Sequence, residues 1–236
     1  VAAGLDCVRS AVHALDPAAA VTLRLRDGDR FEAGAVLADV EADAQALLAA
    51  ERTALNLVGR LCGIATLTRA YVEAVAGTGA RIADTRKTTP GLRALEKHAV
   101  LCGGGLNHRF GLDDAILIKD NHVAVCGGVG EAVRRARAAA GHLMKVEVEV
   151  DGLAQFDEAL AQGPDVIMLD NFATDMLRES VRRVRDRPGR PVLEASGGVS
   201  LDTVRAIAET GVDVISVGAL THSAPTLDIG LDALPA

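Results

Sequence analysis

The chain has 236 residues, 49% of them hydrophobic, and a formal net charge of −7, so it is long and apolar enough to bury a barrel-sized core. With 2% aromatic residues, no Trp and an acidic balance, it lacks the basic face and stacking platforms of a nucleic-acid binder, and no apolar run of about 18 residues could span a bilayer as a helix. Its cysteines stand at positions 7, 62, 102 and 126; without C-x-x-C spacing they argue against a disulfide framework or a zinc site and favour reduced thiols in the cytoplasm.

The sequence shows no charged-then-apolar leader pattern, and because it opens on Val1 rather than Met the expectation is that residues are missing upstream. Val21–Arg26 alternates with period two, Asp27-Gly28-Asp29 marks a turn, and Val36–Val40 reads as a second strand, together a small sheet domain over roughly the first fifty residues. Asp43 is placed to cap a long helix through Leu47, Leu48, Leu55, Val58 and Leu61 towards Val75, interrupted near Gly59 and Gly63, and here a second domain begins.

From Arg81 onward six short apolar strands alternate with helices: Arg81–Arg86, Ala115–Lys119, Lys145–Val150, Val166–Asp170, Val192–Ala195 and Val214–Val217. Helical patterns follow over Gly130–Ala140, Leu153–Leu160, Thr174–Val184 and Leu201–Glu209, the last capped by Ser200. Such alternation implies parallel pairing, in an open sheet or a barrel. Lys145–Val150 favours the barrel: Val146, Val148 and Val150 share one face while Lys145, Glu147 and Glu149 share the other. A parallel strand is covered on both faces, so its charged face must look into a polar lumen.

Barrel ligands sit at the carboxyl ends of the strands, and the chemistry-bearing residues gather there: Arg86 and Lys87, Lys119, Glu149, Asp170, Ser196-Gly197-Gly198 and Gly218. Between Arg81 and His122 seven Lys and Arg outweigh five Asp and Glu, against the sign of the whole chain. Arg86, Lys87, His108, Arg109 and Lys119 form a cationic cluster that an anion of at least two charges would relieve, and the Gly103-Gly104-Gly105 turn beside them offers close backbone approach. Glu149 and Asp170, on neighbouring strands, offer two hard oxygen ligands for Mg²⁺ bound partly through water, acceptors for sugar hydroxyls, or partners for the nearby cations. Glu147 lies a pleat deeper and would neutralise Lys145 or another inward cation. His98 reads as structural, and His122 is open to either role.

The ordered blocks Asp84–Arg93, Gly103–Arg109, Ile118–His122, Glu147–Glu149, Leu169–Asn171, Glu194–Gly198 and Ser216–Gly218, with Glu51–Asn56 and Gly59–Thr66, resemble the quinolinate phosphoribosyltransferase family across nearly the whole chain. His98 departs from the tyrosine the family often carries there. The resemblance implies a TIM-like α/β barrel, complete or incomplete, over residues 51–222, a small amino-terminal α/β sandwich domain over 1–50, truncated upstream, and a tail over 223–236 packing back on that domain. It implies transfer of the phosphoribosyl group from phosphoribosyl pyrophosphate to quinolinate, giving nicotinate mononucleotide, pyrophosphate and CO₂, with Mg²⁺ as cofactor. On that reading Thr85, Arg86, His108, Arg109 and Lys119 hold the dicarboxylate, and Lys87 with Lys119 reaches the phosphoribosyl pyrophosphate. Glu149 and Asp170 orient ribose and Mg²⁺, and Ser196, Gly197, Gly198, Gly218 and Ala219 receive the 5-phosphate. Arg52 is offered to a neighbouring subunit, so a homodimer or higher oligomer completes the site. A Schiff-base aldolase, a paralogous phosphoribosyltransferase and a non-catalytic phosphometabolite-binding protein are the alternatives.

Overall fold

The computed structural model describes residues 1–233; residues 234–236 of the expected tail lie outside them. In chain order the elements are α1 (Asp6–His13), β1 (Ala20–Leu23), β2 (Ala38–Glu41), α2 (Ala44–Ala74), β3 (Arg81–Ala83), α3 (Arg93–Cys102), β4 (Ala115–Ile118), α4 (Asp120–Cys126), α5 (Val129–Ala139), β5 (Lys145–Val150), α6 (Leu153–Gln162), β6 (Val166–Asp170), α7 (Thr174–Val184), β7 (Val192–Ser196), α8 (Leu201–Ala208), β8 (Val214–Ser216) and α9 (Ala219–His222). They fall into two compact units, one of residues 1–70, 87–106 and 219–236 and the other of residues 71–86 and 107–218.

In the first unit β1 and β2 form a two-stranded antiparallel ladder. The long helix starts where Asp43 predicts it, the Asp43 carboxylate accepting the N–H groups of Gln45 and Ala46. It is not interrupted at Gly59 or Gly63: α2 runs unbroken for 31 residues. Those glycines instead make room for the chain near its carboxyl end. A Cβ on Gly63 would meet the Pro225 carbonyl oxygen at 1.9 Å and one on Gly59 the Leu227 oxygen at 2.7 Å, and Leu227 N donates back to the Gly59 carbonyl. The docked segment adds Leu227 and Ile229 to a core of Ala2, Leu5, Val58 and Cys62. Tertiary packing therefore outweighs the helix cost of glycine, which is about 1 kcal/mol per residue.

The second unit holds all six expected parallel strands, ordered β3-β8-β7-β6-β5-β4. Consecutive strands are neighbours, and the first pairs with the last through Ile82↔Ile215 and Ala83↔Ser216. This is the order of a barrel ring, with six strands rather than eight and, among the described residues, no ladder between β3 and β4. The strand face away from the lumen is apolar: Val146, Val148, Val150, Ile167, Leu169, Leu193 and Ile215 are all at most 1% exposed. Phe156 of α6, Leu177 of α7 and Val204 of α8 are equally buried, each such side chain contributing about 1.5–3 kcal/mol by leaving water. The opposite face carries Glu147, Met168, Glu194 and Ser216, as the alternation in β5 requires.

β3 ends three residues earlier than its apolar pattern suggests, at Ala83. Asp84 turns inward, fully buried, and its Oδ1 accepts the His108 backbone N–H at 2.8 Å. Among the described residues no helix is long and apolar enough to cross a membrane.

Candidate active site

The carboxyl ends of the barrel strands bring together most of the residues singled out from the sequence. Thr85 and Arg86 follow β3, Lys119 follows β4, Glu149 lies near the end of β5, Asp170 ends β6, Ser196 ends β7, and Gly218 lies two residues beyond β8. Asp170 and Ser196 are register partners. His108 and Arg109 belong to the same unit, whereas Arg52, Lys87 and Ala219 belong to the other.

The cations fall into two environments. Arg109 is partly buried; burial, then the nearby Arg86 guanidinium, lowers its pKa, while Glu147 and Asp114 oppose the shift. Its Nη1 donates to the Ala115 carbonyl at 3.1 Å, yet its buried Nε has no hydrogen-bond partner among the described residues. A desolvated guanidinium with an unspent donor, pressed by a second one, is arranged for a carboxylate or phosphate. Lys119 is exposed and lies 3.8 Å from Glu149, a loose contact that a substrate anion can displace.

His108 is turned towards the interior carboxylates. Its Nδ1 accepts the Arg109 backbone N–H at 2.8 Å, which leaves the ring proton on Nε2. That nitrogen is 3.1 Å from Glu147 Oε2 and 3.5 Å from Glu194 Oε1. The inward cation partner expected for Glu147 is therefore this imidazole, while Lys145 at the opposite strand end pairs with Asp165 at 3.0 Å. Burial, then repulsion from Glu147, pushes the Glu194 carboxyl up to about 7, against the opposing pull of His108 and the Ser216 hydroxyl. Glu194 was not among the residues assigned a role from the sequence. The signal was present in Val192–Ser196, where one acid occupies the inward position of an otherwise apolar strand, as Glu147 does in β5.

Burial raises the Glu149 pKa; Lys119 opposes the shift and Asp170 adds to it. The two acids are thus close enough to repel, the condition that two hard oxygen donors relieve on meeting Mg²⁺. Asp170 also accepts from Asn171 Nδ2 at 2.7 Å. Asn171 has φ +54°, its N–H donates to the Ser196 carbonyl at 2.8 Å, and a Cβ on Gly197 would lie 2.2 Å from its Oδ1. Gly197 is therefore required by Asn171 as well as by its own φ of +89°. A Cβ on Gly198, by contrast, would meet nothing closer than 4.0 Å, so space is open beside it.

Three other motif residues have structural partners. His122 Nδ1 accepts the Lys119 N–H at 2.9 Å at the start of α4. Gly103 and Gly105 give close approach to α2 rather than to a ligand, because added Cβ atoms would lie 2.5 Å and 2.8 Å from Thr68 side-chain atoms. In the same unit Arg60 Nε donates to the fully buried Glu96 at 2.7 Å. One Arg60 Nη donates to Thr89 Oγ1 and the Thr221 carbonyl, and Thr221 Oγ1 donates to the Lys87 carbonyl at 2.7 Å. This network fixes the backbone that carries Lys87. Arg52 projects from α2 with its side chain 74% exposed, 3.7 Å from Glu51.

Residues 64–232 match the family model described as the C-terminal domain of quinolinate phosphoribosyl transferase, and residues 1–62 the model for its N-terminal domain. The chain belongs to the quinolinate phosphoribosyltransferase family. It is 55% identical to the nicotinate-nucleotide pyrophosphorylase [carboxylating] of Mycobacterium leprae over 212 residues, covering 90% of this chain and 74% of that protein. It is 42% identical to the Homo sapiens protein of the same name, covering 88% of this chain and 70% of that one. The crystal structure of nicotinate-nucleotide pyrophosphorylase from Ehrlichia chaffeensis superposes with a TM-score of 0.93 at 39% identity, covering 98% of this chain and 83% of that chain. Family membership decides against the Schiff-base aldolase.

Proposed function

We propose that the chain catalyses decarboxylating phosphoribosyl transfer from phosphoribosyl pyrophosphate to the ring nitrogen of quinolinate, forming nicotinate mononucleotide, pyrophosphate and CO₂ in NAD biosynthesis. The observation that carries this reading is the partly buried Arg109, with an unspent Nε donor and Arg86 beside it, in the same unit as a strand-end array that includes the mutually repelling Glu149 and Asp170. The cations suit a doubly acidic ring; the acids suit a sugar that develops positive charge as pyrophosphate departs.

In this reading Thr85, Arg86, Arg109 and Lys119 hold the dicarboxylate. His108, anchored below by Glu147 and Glu194, contributes its fixed orientation and the backbone beside it. Lys87 and Lys119 meet the pyrophosphate. Ser196, Gly197, Gly198, Gly218 and Ala219 receive the 5-phosphate through backbone N–H groups. Glu149 and Asp170 orient the ribose hydroxyls and would hold Mg²⁺, which when bound supplies charge neutralisation for pyrophosphate. After nitrogen attack the pyridinium is the electron sink for decarboxylation, so the protein need only orient and desolvate the adjacent carboxylate.

Exposed Arg52 fits a residue given to the site of a second copy in a homodimer, and the unpaired cysteines fit the cytoplasm. Purified protein incubated with Mg²⁺, quinolinate and phosphoribosyl pyrophosphate should yield nicotinate mononucleotide and CO₂ in equal amounts, with nicotinate inactive as the control. Mixing separately inactive Arg52→Ala and Asp170→Ala proteins should restore activity by forming one intact site per heterodimer. Failure of the first assay overturns the reaction, and failure of the second overturns the shared site.

A further inference from the structure

The first unit contains a cluster that the proposed reaction does not use. His98 and Cys102 are four residues apart on α3, so they share one helix face. Asp27 comes to them from the turn after Leu25. Its Oδ2 lies 2.6 Å from His98 Nε2, and the Cys102 Sγ lies 3.4 Å from the same nitrogen. All three donor atoms fall within 4.8 Å of one another.

We propose that Asp27, His98 and Cys102 form a binding site for one divalent cation of the zinc class, which pins the Asp27 turn to α3. Bonds of about 2.0–2.3 Å to oxygen, nitrogen and sulfur place tetrahedral ligands about 3.3–3.7 Å apart. The Cys102–His98 separation already has that value, and the Asp27–His98 pair opens by less than an ångström to admit the ion. The mixed N, O and S set selects a borderline-soft ion over Mg²⁺ or Ca²⁺, which take oxygen.

Two further features fit a ligand set. Asp27 is held from behind: Gly4 N donates to its Oδ2 at 2.9 Å and Leu5 N to its Oδ1 at 3.1 Å, the kind of backbone support that orients metal-binding carboxylates. The His98 side chain is 50% exposed, leaving the fourth position to water. Burial and the adjacent Asp27 carboxylate push the Cys102 thiol up to about 11. A dication between the two groups reverses that repulsion, and the thiol proton leaves to solvent as the metal–sulfur bond forms.

The test uses the full, tag-free, reduced chain without substrates. Co²⁺ titration should give a thiolate-to-cobalt charge-transfer band saturating at one ion per chain. Competition against a chromophoric chelator should give one Zn²⁺ site, and Zn²⁺ should raise Tm. Cys102→Ser should abolish the band, His98→Gln should weaken Zn²⁺ binding by at least about tenfold, and a Cys7→Ser/Cys62→Ser double variant should keep both signals. Circular dichroism and Tm of the metal-free variants verify their folding, and both substituted side chains are partly solvent-facing. No band in the wild-type chain, or a band that survives Cys102→Ser, would overturn the proposal. The readout is independent of catalysis, so failure here leaves the proposed reaction untouched.

Discussion

Glu194 stands 3.5 Å from the His108 Nε2 atom that Glu147 approaches at 3.1 Å, so two buried acids crowd around one imidazole nitrogen. Two carboxylates this close cannot both hold full negative charge cheaply, and the native state answers by keeping the Glu194 proton up to about pH 7.

This has a defined sign in stability. The folded chain binds the Glu194 proton more tightly than the unfolded one, whose carboxyl has its ordinary value of 4.5. Between those limits the native state carries the extra proton, so the Glu194 contribution weakens stability as pH rises through that window, by at most about 1.4 kcal/mol per pH unit. The depressed Asp165 and Asp213 pull the other way at lower pH. Urea unfolding at several pH values between about 5 and 7 should show wild-type stability falling relative to Glu194→Gln. Parallel profiles would remove the retained proton.

Lys119 opposes the upward shift of Glu149, so Lys119→Met should raise the Glu149 pKa. If ionised Glu149 is needed for turnover, the acid limb of kcat/KM moves to higher pH. A profile lowered in height but unmoved along the pH axis would separate Lys119 from Glu149.

Lys87→Ala and Asp170→Ala should each lower kcat by at least about a hundredfold, because in the proposed reaction each supplies a charge to the separating sugar and pyrophosphate. Both folds should survive, since Lys87 is exposed and Asp170 only partly buried. Near-normal turnover in either variant strikes that residue from the mechanism.

Gly63→Ala reverses the usual effect of replacing glycine in a helix. Alanine ordinarily stabilises a helix by about 1 kcal/mol, but here its Cβ would strike the Pro225 carbonyl. The expected result is a loss of about 1–3 kcal/mol and earlier proteolytic release of the segment around Pro225. Gly79→Ala, with nothing within 4 Å of its added Cβ, is the contrasting control.

The barrel was legible because its strands obey a local rule: apolar alternation and flanking glycines place all six within a few residues of their observed bounds. The acids at Glu149 and Asp170 could be read as neighbours because they lie at or next to the ends of consecutive parallel strands. What the residues could not disclose was non-local. Gly59 and Gly63 looked like helix breaks because their partner, the Pro225–Leu227 segment, is far along the chain. Gly103 and Gly105 looked like ligand turns until Thr68 was seen against them. The Asp27–His98–Cys102 cluster escaped for the same reason: Asp27 lies 71 residues from His98, far outside any metal-binding spacing pattern.

The close fit between α2 and the chain around Pro225 also bears on biosynthesis. Arg60 reaches the Thr221 carbonyl across 161 residues, and the glycine notches beside it stay empty until that distant stretch leaves the ribosome. The first unit therefore cannot complete this core until residues 225–229 have been made, after every strand of the second unit has been synthesised. The early helix thus meets this neighbour only after translation has passed it by.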